Sequence, residues 1–103
     1  MKIPKKVRIN GFDWQVNFDA NVAYAGDAFG STHYHKQQIF LDPSETQQKK
    51  EQCLIHEAMH AIFWQTGLWE RLKNIQGIKE EEIIQALSFG VYQFLRENKF
   101  LRD

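Results

Sequence analysis

The apolar residues of this chain change period once, at Asp42-Pro43-Ser44, and that switch limits the fold more than any other feature. Upstream the period is two. Val7 and Ile9 alternate with polar neighbours, Asn10-Gly11 follows, and Phe12, Trp14, Val16 and Phe18 alternate again. This is the pattern of a strand, a two-residue turn and a strand. Residues 20–30, with Gly26 and Gly30 among small residues, predict a loop. Ser31–His35, Lys36-Gln37 and Gln38–Leu41 predict a second hairpin. The expected sheet is small and antiparallel, with three or four strands. Downstream the period is helical. Ser44 and Gln47 fit a capping box, which predicts a helix over 45–66 with Gly67 as its stop. Leu54, Ile55, Ala58, Met59, Ile62 and Phe63 give it a wide apolar face. A connection follows over 68–78, with a short helical turn near 70–73 and Gly77 as punctuation. A second helix is expected over 79–97, burying Ile83, Ile84, Leu87, Val91, Phe94 and Leu95 and stopping at Asn98. Strands followed by helices make an α+β fold.

Length and charge narrow the class. With 103 residues the chain is expected to form one domain spanning 1–103 around one compact core. Thirteen Lys plus Arg balance thirteen Asp plus Glu, so no nucleic-acid partner is expected. Cys53 is the one cysteine, which excludes an internal disulfide. No apolar run approaches the ~20 residues that span a bilayer, so no membrane is expected. The basic start, Met1-Lys2-Ile3-Pro4-Lys5-Lys6, has no apolar stretch behind it and is not read as a secretory signal. The cytoplasm is the expected compartment.

Chemistry concentrates at His56-Glu57-Ala58-Met59-His60, an H-E-x-x-H pattern inside the first predicted helix. Four residues advance a helix by about 400°, so the two histidines share a face one turn apart and can hold one tetrahedral metal. Glu57 is turned by about 100° from His56. There it flanks the metal, where zinc acidifies a water towards pKa ~7 and the carboxylate takes its proton as the water attacks a carbonyl. A catalytic zinc site needs a third protein ligand and one open position. Cys53, one turn before His56 on the same helix, has poor geometry for this and reads as a small core residue. His33 and His35 lie in the second hairpin and read as surface or substrate-side groups. The acidic run Glu80-Glu81-Glu82 opens the second helix. The helix dipole explains acidic residues there without a metal, yet the helix packed against the motif is where a third ligand must arise. The expected apolar stripe is centred near Glu80, Glu81 flanks it, and Glu82 points away. Periodicity leaves Glu80 and Glu81 open.

H-E-x-x-H followed by a second helix with a Glu ligand resembles the gluzincin metallopeptidases. More narrowly, the chain resembles short phage- and prophage-encoded proteins related to the ImmA/IrrE peptidases. The resemblance runs through Gly11–Val16, Gln37–Asp42, Leu54–Ile62, Glu81–Ser88 and Leu95–Asn98. That family places a polar residue, commonly Asn or Asp, four after the ligand Glu. Gln85 stands four after Glu81, which favours Glu81 as the ligand. Gln85 would then support a metal-bound imidazole. The resemblance implies a minimal zincin-like domain holding Zn2+ on His56, His60 and Glu81, with Glu57 as general base. It implies an endopeptidase acting on a protein or peptide substrate, such as a repressor-type regulator. It also implies an edge strand beside the motif helix, matched to Gln38–Leu41, onto which a substrate adds as a strand. Tyr34, His33, His35 and Tyr92 are the candidates for steadying an oxyanion. A reading from another class is a non-catalytic interaction protein with a structural or vestigial zinc site. A third is a zinc hydrolase with a non-peptide substrate. Glu57 favours an enzyme, since a structural site has no use for it and prefers a fourth ligand and thiolates. So short a chain predicts a shallow, exposed site.

Overall fold

A computed structural model describes residues 2–22 and 30–100. Asn10 and Gly11 both have positive φ, 50° and 85°. That pair of values lets a two-residue turn follow the natural twist of its strands. The turn joins β1 (Lys6–Ile9) to β2 (Phe12–Phe18) in antiparallel register, with Ile9 opposite Phe12 and Lys6 opposite Gln15. Gly26 and the rest of 23–29 in the expected loop lie outside the described residues. Gly30 does not belong to that loop: it opens β3 (Gly30–His33), which pairs antiparallel with β4 (Gln38–Leu41). The hairpin turn takes residues 34–37, with Gln37 at φ 53°.

The strand order is β1-β2-β4-β3, and β2 runs parallel to β4. The sheet is therefore mixed, not antiparallel as expected. Alternation fixes which side chains face the core but not the direction of a neighbouring strand. Here β4 turns back from β3 and fits between β3 and β2. This central place buries Ile39 and Leu41 completely. They join Ile9, Trp14, Val16, Cys53, Leu54 and Ala61 in one core under the first helix.

That helix, α1, spans Gln47–Thr66 and is capped by Thr46, whose Oγ1 accepts from the Lys49 amide at 3.2 Å. The expected Ser44–Gln47 box does not form. Asp42 Oδ1 takes both the Ser44 amide (2.9 Å) and the Ser44 hydroxyl (2.7 Å) in a turn over Pro43. Those bonds hold the Asp42 carboxyl below its ordinary pKa, and the helix begins two residues later. Gly67 ends α1 at φ 72°. A five-residue helix, α2 (Leu68–Leu72), follows directly. The last helix, α3, spans Glu80–Glu97 and docks chiefly on α1. No helix among the described residues is long and apolar enough to cross a membrane.

The buried face of α3 is not the expected one. Ile84 is buried, but Leu87, Val91 and Phe94 are exposed, and Ser88 and Tyr92 are buried in their place. At 100° per residue the helix is turned by roughly a quarter-turn from the apolar stripe. The cause lies on the facing side of α1, described below.

Two buried acids make stability depend on alkaline pH. Burial pushes the Cys53 thiol from 9.0 up to about 11. Burial, with the bond to Glu51, pushes the Tyr92 phenol from 10.0 up to about 12. Both hold their protons more tightly when folded, so their contribution is complete below pH 9 and falls as pH rises towards 11 and 12. Denaturant titrations repeated across that window should show falling midpoints, and Cys53→Ala should flatten the lower part of the fall. Constant midpoints would show that neither group is protected.

Candidate metal centre

Towards α3, α1 presents Glu51, Gln52, His56 and His60, all polar. A buried polar group without a partner costs more than an exposed apolar one. The quarter-turn of α3 supplies a partner to each. Tyr92 Oη donates to Glu51 Oε1 at 2.7 Å. Gln52 Nε2 donates to Ser88 Oγ at 3.1 Å. Ser88 Oγ also lies 3.4 Å from His56 Nδ1, and Glu80 Oε1 lies 2.5 Å from His60 Nδ1. Four polar rungs thus join two helices that the hydrophobic pattern would have joined by an apolar seam.

The upper rungs frame a cluster. Glu81 Oε1 is 2.6 Å from His56 Nε2, and Glu81 Oε2 is 3.0 Å from His60 Nε2. One ligand atom from each of the three residues lies within 4.8 Å of the others. The outer contacts assign the tautomers. Glu80 accepts the proton on His60 Nδ1. Ser88 gives its own proton to the Gln85 carbonyl at 3.1 Å, so its oxygen is left to accept from His56 Nδ1. Burial holds His56 below the usual imidazole range, outweighing the nearby Glu81 carboxylate. With Nδ1 engaged on both rings, both Nε2 atoms are turned onto the Glu81 carboxylate. Such contacts need a proton or a metal cation between each Nε2 and the carboxylate, and two imidazoles with one carboxylate suit zinc. The donor set therefore fits the metal. The two imidazole side chains are 10% and 13% exposed and the Glu81 side chain 66%, so the site opens to solvent on the α3 side.

Glu57 is buried beside this cluster. Thr32 Oγ1, on β3, donates to Glu57 Oε1 at 2.7 Å and to the Glu57 carbonyl at 3.1 Å. The other oxygen, Oε2, lies 3.9 Å from His56 Nε2. Gly30 makes the space: a Cβ there would come within 3.1 Å of Glu57 Cγ and of the Phe40 carbonyl. We expect Gly30→Ala to displace Glu57 and lower any activity that depends on it, with the circular dichroism spectrum unchanged. Wild-type turnover in that variant would mean that Glu57 need not stand where it does.

The other expected groups lie elsewhere. Cys53 is in the hydrophobic core. His33 packs on Phe40 with ring centroids 4.7 Å apart, and Tyr34 and His35 pack on Trp64 at 5.2 and 5.6 Å. Tyr92 is tied to Glu51. None of them joins the cluster, and neither does Glu82. Among the described residues the edge strands are β1 and β3, and the expected Gln38–Leu41 is internal. Sequence reasoning did not find Thr32, Gly30, Glu80 as the His60 support, or Ser88. Ser88 carried one usable signal: it stands seven residues after Glu81, hence on the same helix face.

Compared with family models, curated proteins and solved structures, the chain matched none.

Proposed function

We propose that this chain is a zinc-dependent metallopeptidase of the gluzincin kind, with a minimal zincin-like architecture. The observation that carries the reading is the convergence of both Nε2 atoms and the Glu81 carboxylate, with Glu57 held alongside. His56, His60 and Glu81 would hold the metal. When bound, zinc supplies Lewis acidity, acidifying water and polarising a carbonyl. Glu57 takes the proton of the attacking water and passes it to the leaving amine. Thr32 holds Oε1, and Oε2 is the oxygen that lies on the side of His56 Nε2. Glu80 and Ser88, through the Nδ1 atoms, fix both rings and their tautomers. The outer edge of β3, unpaired among the described residues, offers backbone groups to an extended peptide next to Glu57. The substrate we propose is a cytoplasmic protein of the repressor-type regulator class, as the resemblance to the ImmA/IrrE peptidases implies.

A structural zinc site would leave the Thr32–Glu57 arrangement without a purpose, which favours catalysis over the interaction-protein reading. The test is direct. The purified chain should bind one zinc per molecule and, so loaded, cleave members of a random peptide library. A chelator should stop the cleavage and added zinc restore it. Stoichiometric zinc without cleavage of the library or of repressor-type proteins would favour the structural-site reading. No bound zinc would remove both.

A further inference from the structure

We propose that a cavity beside the metal centre binds one large apolar side chain of the substrate, a proposal that builds on the peptidase reading. The cavity has a volume of about 200 Å³ and is lined by Tyr34, Phe63, Trp64, Trp69, Glu70 and Glu80. Four parts of the chain meet there: the β3–β4 turn, the end of α1, α2 and the first turn of α3. Glu80 belongs to both places, since the carboxylate that lines the cavity also holds His60 Nδ1. Tyr34 immediately follows the edge strand, so a peptide paired with β3 beside Glu57 continues towards this wall. The lining selects by chemistry. Four aromatic rings offer flat apolar surface to an aromatic or branched aliphatic group. Neither acid is a spare counter-charge for a cationic substrate. Glu70 is paired with Lys73 at 2.8 Å, and Glu80 is committed to His60. Both still repel a carboxylate side chain from the rim. The proposal also gives α2 a purpose. It buries no residue of its own, and it brings Trp69 to the cavity.

The test uses the tryptophans as reporters. Trp64 and Trp69 line the cavity, while Trp14 is fully buried in the core. N-acetyl-phenylalanine amide and N-acetyl-leucine amide should change the emission of the metal-free chain saturably, and N-acetyl-aspartate amide should not. Trp69→Ala should weaken binding of the phenylalanine amide at least tenfold, with Trp64 as the remaining reporter. Tyr34→Ala provides an independent second variant. Absence of saturation, or an equal response to the aspartate amide, overturns the proposal whatever the metal centre does. With zinc loaded, sites cut in the peptide library should carry Phe or Leu at one fixed position near the cut, and Trp69→Ala should lose that preference. Cleavage without any preference overturns the cavity and keeps the peptidase. Saturable, selective amide binding without cleavage supports the cavity and overturns the peptidase.

Discussion

Glu57→Gln is expected to lower peptide hydrolysis by about 10²–10⁴-fold while zinc stays bound, because a general base contributes on that order. The amide keeps the size of the side chain and can still accept the Thr32 hydroxyl bond at the Oε1 position. It cannot take a proton from water. His56, His60 and Glu81 are untouched, so metal content and folding should match the wild type. Peptide turnover and bound zinc are to be measured on the same preparation. Loss of turnover with zinc retained assigns the proton step to Glu57. Unchanged turnover would remove the catalytic account, and loss of zinc would mean that Glu57 serves the metal rather than the water.

The second large effect is on stability. The proposed ligands come from α1 and α3, so zinc would bridge the two helices and bind the folded state in preference to the unfolded one. At a free zinc concentration about 1,000 times Kd, this linkage is worth about 4 kcal/mol. For a domain near 100 residues, that corresponds to a rise in Tm of roughly 15–30 °C. His60→Ala and Glu81→Gln should each remove most of the rise. His60→Ala also strips Glu80 of its partner, so Glu81→Gln is the cleaner variant: the Glu81 side chain is exposed, and an amide of the same size keeps a polar partner for the two imidazoles. Thermal melts with zinc and with chelator check this. Coincident melts for the wild type would mean that no metal joins the helices.

The first hairpin and both long helices were legible because their signals are local. Asn10-Gly11 needs nothing beyond its own backbone to turn, and Gly67 likewise ends α1. The motif on α1 was legible for the same reason, since helical spacing alone puts His56 and His60 on one face. What was not legible depends on partners far along the chain. The parallel pairing of β2 with β4 is set by how β4 fits between two strands, which alternation cannot encode. The face of α3 was misread because apolar periodicity weighs Leu87, Val91 and Phe94 above Ser88 and Glu81. It takes no account of the buried polar groups waiting on α1. Thr32 and Gly30 were hidden in the same way. A small strand residue becomes informative only when Glu57 is known to lie against it.

The polar rungs between α1 and α3 have a further consequence, for how the pair finds its alignment. Two apolar helices can slide by one turn and still bury similar area, so hydrophobic contact alone leaves several near-equal alignments. Here a slip of one turn, about 5.4 Å, would bring Ser88 opposite a neighbouring rung and leave Glu51 or His60 facing a side chain that cannot satisfy it. Each mismatch costs on the order of 1–3 kcal/mol, and they fall together. The ladder therefore works as a ruler. It costs some adhesion and returns a single seating for α3, which a centre assembled from side chains 21 positions apart, His60 and Glu81, requires.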